Sequence, residues 1–260
     1  MFFGLAPDAF VLVVLATLLV GVAKAGFGGG VGVVATPLVA LAMPVPEAAA
    51  LMLPILIGTD VFTVGQYRRN LSLPDLRLLL PAAVVGVIAG ALAFDLFTEH
   101  ERALEIAVGI LALSFVGWRL VAPRLLERLH EVAAPSPAWG GLLGAIAGFG
   151  STLAHAGGPP LTVYLLPRGL DRRQFVGTIA WFFFILNLVK LIPYGWLGLL
   201  SVRRLSLALA LLPVAWLGAW LGVRLLGALD ERLFTRLVTV LLAITGLQLL
   251  IGADLSAFAG

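Results

Sequence analysis

Long apolar runs separated by short polar breaks follow one another along the whole chain. Most runs are about 17 to 25 residues long, the length that an α-helix needs to cross a bilayer. Breaks fall at residues 44–46, 71–74, 98–101 and 193–201. The pattern predicts membrane-embedded helices over residues 8–24, 30–43, 47–66, 75–97, 102–121, 139–155, 158–167, 174–193, 205–226 and 232–251. We therefore expect an all-α integral membrane protein.

Composition agrees with this fold class and excludes several functions. Of 260 residues, 61% are hydrophobic and 12% charged, against about 25% charged in soluble domains. The chain has no cysteine, which excludes disulfides, thiolate metal sites and cysteine nucleophiles. A net charge of +3 does not suggest nucleic-acid binding, and we predict no cofactor and no metal. No Lys or Arg precedes the first apolar run, so we expect a retained helix rather than a cleaved signal peptide.

An internal repeat divides the chain in two. The sequence PAAVVGVIAG at 81–90 recurs as PVAWLGAWLG at 213–222, and GFGGG at 26–30 aligns with AHAGG at 154–158. The glycine pairs 86/90 and 218/222 have the spacing of close helix-packing faces. We predict a first repeat over 1–121, a linker over 122–138 and a second repeat over 139–260. Within the linker, residues 125–132 are expected to form an amphipathic stretch on the membrane surface.

The repeats should have opposite orientations in the membrane. Each contains a helix pair that meets at a glycine break, followed by three transmembrane helices, and an odd number of five segments inverts the second half. If the loop 67–77 is cytoplasmic, twelve arginines lie on the cytoplasmic side and only Arg102, Arg203 and Arg204 on the other. This bias agrees with the positive-inside rule. We expect a multi-pass protein of the cell (inner or plasma) membrane with both termini non-cytoplasmic.

Five polar side chains remain inside apolar segments. They are Lys24, Asp60, His155, Asn187 and Lys190. A charge in hydrocarbon is costly unless it is paired or lines a wet cavity, so each is a candidate functional residue. Simpler roles stay open: Lys190 could extend to the interface, Asp60 could be the structural partner of a lysine, and His155 could bind backbone groups at a helix break.

The glycine breaks suggest what these charges bind. Glycines let the backbone leave a helix and approach another group closely, and a helix that starts there presents free N–H groups and a positive dipole end. Proline at 159 fits a first helical turn. We therefore predict an anion site near the midplane, where the two breaks meet. Its predicted residues are Lys24, Gly26, Gly28, Gly29, Gly30, Ser151, Thr152, His155, Gly157, Gly158, Asn187 and Lys190.

At these residues the sequence resembles the TauE/SafE family of sulfite exporters. The resemblance rests on GFGGG before a short helix that contains a proline, its echo AHAGG, and the repeated layout over nearly the whole chain. It departs from the family pattern in having two glycines rather than three in the second element and a late proline, Pro37, in the first. The resemblance implies a secondary transporter that exports small sulfur-containing anions such as sulfite or organosulfonates, driven by an ion gradient.

Several functional alternatives stay open at this point. Protonation of Asp60 or His155 is one hypothesis for coupling to a proton gradient, and sodium is another coupling ion. A passive anion channel could use the same site. Ser151 lies four residues before His155 and could be a nucleophile beside a base, but such pairs one turn apart occur often by chance, and no third orienting group is evident. We therefore predict a transporter rather than an intramembrane enzyme. The lipid bilayer and a small anion are the expected partners, and a homodimer is an open option.

Overall fold

The computed structural model describes residues 5–27, 32–98, 100–129, 136–225 and 231–252. Ten α-helices and no β-strand lie within these ranges. The helices are α1 (Pro7–Phe27), α2 (Ala35–Val39), α3 (Val45–Tyr67), α4 (Leu73–Thr98), α5 (Glu101–Leu129), α6 (Pro137–Ala154), α7 (Gly158–Leu165), α8 (Arg172–Trp196), α9 (Val202–Leu225) and α10 (Glu231–Ile251). Short 3₁₀ turns, Gly32–Val34 and Leu166–Arg168, precede α2 and follow α7.

The predicted helices agree with the observed ones except at two places. A helix was expected over 30–43, but α2 has only 5 residues. The second difference is that α5 runs on to Leu129, so residues 125–129 of the predicted surface stretch continue α5. Leucine, glutamate and arginine favour helix there even though the apolar span has ended. Residues 130–132 of that stretch lie outside the described ranges.

Six helices of the described ranges are long and apolar enough to cross a membrane. They are α1, α3, α4, α5, α8 and α9. A backbone in hydrocarbon must satisfy its own hydrogen bonds, which a helix does within one segment. The all-helical, multi-pass prediction is therefore confirmed at this level.

The helix contacts follow a regular pattern between the two halves of the chain. Helix α4 packs along α6, and α1 packs along α9; α3 contacts both α8 and α9, α4 contacts α8, and α5 contacts α10. If α1 to α5 are paired in order with α6 to α10, exchanging the two halves turns the α4–α6 contact into the α1–α9 contact and the α3–α9 contact into the α4–α8 contact. The α3–α8 and α5–α10 contacts are unchanged by the exchange. The halves are thus interleaved rather than side by side.

Glycines allow the closest of these helix contacts. A Cβ added at Gly86 on α4 would overlap the carbonyl oxygen of Ala145 on α6, and one at Gly218 on α9 would overlap that of Leu18 on α1. A Cβ at Gly90 would lie 2.8 Å from the Cβ of Thr152. The predicted packing role of glycines 86, 90 and 218 is therefore confirmed, since close backbone approach between membrane helices needs small residues.

Candidate functional site

The first buried polar group joins α1, α3 and α8. We call it the Lys24 cluster, and it consists of Lys24, Asp60 and Asn187. Lys24 lies in the last turn of α1, and its Nζ is 2.6 Å from Oδ1 of Asp60. Asn187 Nδ2 donates to the other carboxylate oxygen of Asp60 at 2.7 Å. Lys24 Nζ also donates to the carbonyl of Leu56 at 3.3 Å, so this cluster contains one positive and one negative charge.

The second buried polar group joins α8 to the end of α6. We call it the Lys190 cluster, and it consists of Lys190, Ser151 and His155. Lys190 is 0% exposed. Its Nζ contacts the carbonyl oxygen and the hydroxyl of Ser151, each at 2.9 Å, and His155 Nδ1 at 2.8 Å. An ammonium group has three N–H donors and no acceptor, and these three acceptors match them.

His155 owes its position to an unusual backbone. It caps α6 with φ 54° and ψ 28°, the left-handed region that residues other than glycine rarely adopt. Its Nδ1 accepts from Lys190, so Nε2 carries the proton and donates to the Ala49 carbonyl on α3 at 3.0 Å. The ring therefore has partners at both nitrogens, and the strained residue is held between α8 and α3. The contact with the Ala49 carbonyl is the backbone role that the sequence left open for His155, and the structure adds a contact with Lys190.

The two lysines differ in their counter-charges. Asp60 neutralises Lys24, whereas Lys190 has no carboxylate within ion-pair distance among the described residues. Burying a charge is costly unless it is paired. With His155 neutral, the two clusters together hold two positive charges and one negative. Of the interpretations left open, the structure pairs Asp60 with a lysine and leaves Lys190 buried, with its Nζ inside the protein.

The glycine elements are placed only in part. Gly28, Gly29 and Gly30 lie outside the described residues, and α1 continues through Gly26 to Phe27. Within the described residues, the segment expected to follow Gly30 as a helix is a 3₁₀ turn over Gly32–Val34 followed by the short α2 from Ala35. Such a short helix has too few aligned peptides for the dipole argument.

The second element matches the prediction more closely. Gly157 is the N-cap of α7, Gly158 its first residue, and a proline occupies the first turn. A Cβ at Gly157 would lie 2.5 Å from the Ala147 carbonyl and 3.2 Å from Cβ of Ser151. This glycine therefore lets α7 start against α6, next to the Lys190 cluster.

Thr152 and Tyr194 lie beside the Lys190 cluster, but their hydroxyl groups bond to backbone carbonyls instead of to Lys190. The Thr152 hydroxyl donates to Gly148 of its own helix at 2.9 Å, so it is engaged locally. The Tyr194 hydroxyl donates to the Thr152 carbonyl at 2.7 Å, and its ring centroid lies 6.4 Å from that of His155. Tyr194 was not among the predicted residues, although its position one helical turn after Lys190 places both on one face of α8.

The enzyme alternative depends on a contact between Ser151 and His155. Lys190 Nζ lies between them, because the Ser151 hydroxyl and His155 Nδ1 each contact it. In this arrangement the histidine accepts from an amine rather than from the serine. A base must contact the nucleophile that it activates, so the geometry gives that alternative no support.

A multi-pass helical bundle that buries lysine, aspartate and histidine side chains beside the ends of α1 and α6 is typical of a membrane transporter. The family model described as "Sulfite exporter TauE/SafE" matches residues 13–249. The chain therefore belongs to the TauE/SafE sulfite exporter family, a transporter family, as the sequence motifs predicted. No curated protein and no solved structure matched the chain.

Proposed function

We propose that this protein is a secondary transporter that exports small sulfur-containing anions, such as sulfite or organosulfonates, across the cell membrane. The single observation that supports the anion site is that Lys190 is 0% exposed and, among the described residues, contacts only neutral acceptors. An incoming anion replaces one of these acceptors, and a contact between two charges is stronger than the neutral one it replaces. Because prolines occupy positions 159 and 160, only the N–H groups of Gly157 and Gly158 at the start of α7 can add donors next to the cluster.

An inverted repeat is the architecture that best accounts for the helix contacts. The contacts of α4 with α6 and of α1 with α9 are equivalent under exchange of the two halves. Asp60 and Asn187, which hydrogen-bond to each other at 2.7 Å, are 127 residues apart. Two equivalent positions touch only close to the axis that relates them, so this contact supports a pseudo-two-fold axis between α3 and α8.

The same symmetry supports a membrane orientation. Thr178 of α8 accepts from Ser72, which lies between α3 and α4, so α8 begins at the end of the bundle where α3 ends and α4 begins. The arginines next to these helix ends are Arg68, Arg69, Arg77, Arg168, Arg172 and Arg173. By the positive-inside rule that end faces the cytoplasm. The non-cytoplasmic placement of both termini follows from the same argument. Export then moves the anion from the end where α4 begins to the end where α9 begins.

Asp60 is the residue that best suits proton coupling. As a carboxylate it pairs with Lys24 and accepts from Asn187 Nδ2, while Asn187 Oδ1 has no hydrogen-bond partner among the described residues. The side-chain amide of Asn187 can rotate by about half a turn and exchange its Oδ1 and Nδ2, because one is a hydrogen-bond acceptor and the other a donor. A protonated Asp60 would then donate to Oδ1. The asparagine can therefore form a hydrogen bond with either protonation state of Asp60.

Flux in proteoliposomes tests the function. We expect sulfite or sulfonate flux that responds to an imposed pH gradient, with sulfate and carboxylates as comparison anions. Lys190→Gln should abolish saturable flux, whereas the matched control Thr63→Val, which changes the polar residue 127 positions before Lys190, should keep it. Undiminished saturable flux in folded Lys190→Gln would contradict the site. Flux that ignores every ion gradient would instead indicate a passive channel.

The pH dependence of flux between pH 5.5 and 8 separates the two candidate proton carriers. Asp60→Asn should remove the dependence, because the residue can no longer release a proton, and His155→Gln should keep it. His155 Nδ1 already accepts from Lys190, so it can take a proton only if that contact breaks. If both variants retain the wild-type profile, sodium becomes the coupling ion to test by replacing it with choline.

A further inference from the structure

Two ion pairs outside the anion site connect the two halves of the chain. Arg168 Nε, after α7, lies 2.9 Å from Oδ1 of Asp75 at the start of α4. Arg204 Nη2, at the start of α9, lies 3.1 Å from Oε1 of Glu47 at the start of α3. We name them the Asp75–Arg168 pair and the Glu47–Arg204 pair. Each joins a residue of the first half to a residue of the second.

The two pairs lie at opposite ends of the bundle. Glu47 is in the first turn of α3, whereas Asp75 begins the helix that follows the end of α3. Twenty helical residues rise by about 30 Å, the thickness of a hydrocarbon core. At the end near Asp75, Ser72 N donates to Thr178 Oγ1 of α8 at 2.8 Å, which joins α4 to the start of α8. The clusters around Lys24 and Lys190 lie between the two ends.

The two pairs also occupy related positions in the repeats. Ser72 precedes Asp75 by three residues and contacts it, with 2.5 Å between Oγ and Oδ2. Ser201 likewise precedes Arg204 by three residues, and its Oγ accepts from the Arg204 backbone N–H at 3.3 Å. Each pair therefore uses the first turn of the fourth helix of its repeat, with the signs of the charges exchanged.

Their surroundings are unequal. Asp75 is 2% exposed and also accepts from the Tyr164 hydroxyl at 3.3 Å, and Arg168 lies over the Tyr164 ring. Glu47 is 45% exposed and lines a cavity of about 120 Å³ with Leu51, Ser201 and Arg204. The carboxylate of one pair is therefore buried, whereas the carboxylate of the other is exposed beside a cavity; the two arginines are similarly exposed, at 30% for Arg168 and 26% for Arg204.

From this asymmetry we infer that the two pairs are the gates of the transport path, and that the structure has its Asp75–Arg168 gate closed. The inference rests on the proposed function. Alternating access moves one half of such a transporter against the other around a fixed site. A contact between the halves at either end must then break when that end opens. The buried pair holds its end more strongly than the exposed one, because solvent screens the latter.

Thiol labelling tests the gates without any transport measurement. The chain has no cysteine, so each introduced thiol is the only one present. Thr63→Cys places a reporter on α3 between Asp60 and the Asp75 end, where Thr63 is 1% exposed. Leu51→Cys places one beside the cavity at the Glu47 end. A charged, membrane-impermeant methanethiosulfonate is added to protein in proteoliposomes, from one side at a time.

Arg168→Gln should raise the labelling rate of Thr63→Cys at least fivefold and lower that of Leu51→Cys. Arg168→Lys, which keeps the charge, should give less than half of that change. Glu47→Gln should shift both rates in the opposite direction and by less. Glu105→Gln breaks an exposed ion pair within α5 and should change neither rate. Asp75→Asn provides a second way to break the buried pair if Arg168→Gln folds poorly.

Unchanged labelling of Thr63→Cys in both folded variants of the Asp75–Arg168 pair would overturn the gate. So would a parallel rise at both reporters, which would indicate general loosening of the bundle. Failure of the proposed function looks different, because it would appear as absent saturable sulfite flux in wild-type protein while the labelling pattern remained.

Discussion

The Lys24 and Lys190 clusters each bury a lysine against helix α3 or α6, yet they treat its charge differently. Lys24 has a carboxylate at 2.6 Å, whereas Lys190 is surrounded by a carbonyl, a hydroxyl and an imidazole nitrogen. The first arrangement is electrically complete without a ligand. Under the proposed function, the second gains a counter-charge when an anion binds. Under the proposed function the two lysines have different roles, Lys24 in coupling and stability and Lys190 in anion binding.

Removing the acid from the Lys24 cluster should have the largest effect on stability. Asp60→Leu leaves a buried ammonium unpaired, and breaking one side of a buried pair costs about 3–5 kcal/mol. The double variant Lys24→Met with Asp60→Leu removes both charges and should recover most of this loss. Thermal unfolding in detergent measures both. A double variant as unstable as the single one would mean that Lys24 is not the partner that matters.

Removing the amine from the Lys190 cluster should act on binding instead. Lys190→Met leaves no opposite charge unpaired, so its unfolding temperature should stay closer to wild type than that of Asp60→Leu. Anion affinity should fall about tenfold to a hundredfold, since a hydrogen bond to a charged group contributes about 1.5–3 kcal/mol. Equilibrium binding of labelled sulfite reports the affinity. Equal losses of affinity in Lys190→Met and in Lys24→Met with Asp60→Leu would erase the distinction between the clusters.

Removing the Ser151 hydroxyl, one of the acceptors of Lys190, should have the smallest effect on anion affinity. Ser151→Ala removes the hydroxyl but leaves two acceptors of Lys190 in place, the backbone carbonyl of residue 151 and His155. One hydrogen bond contributes about 0.5–1.5 kcal/mol. Affinity should change by less than about tenfold in either direction. A rise would show that the hydroxyl competes with the anion for Lys190, and a fall that it helps to bind the anion. A loss as large as that of Lys190→Met would contradict a minor role.

Local patterns were enough to predict most helices and the polar residues inside them. The apolar run and the prolines around α3 set its limits because helix length and capping depend on nearby residues. The short α2 was not predictable in the same way. Its apolar sequence from 35 to 43 could continue as a helix, and packing against α1 and α3 decides where it stops.

By itself the sequence determined that this is an all-α membrane protein of the TauE/SafE family with ionisable residues in its apolar core. Hydrophobic length, glycine motifs and stranded charges are local properties, readable one segment at a time. Only the tertiary structure decided that Asp60 neutralises Lys24 and leaves Lys190 with neutral acceptors. It also decided that Asp75 meets Arg168 across 93 residues of chain. Both depend on which helices become neighbours, and that follows from the packing of the whole bundle.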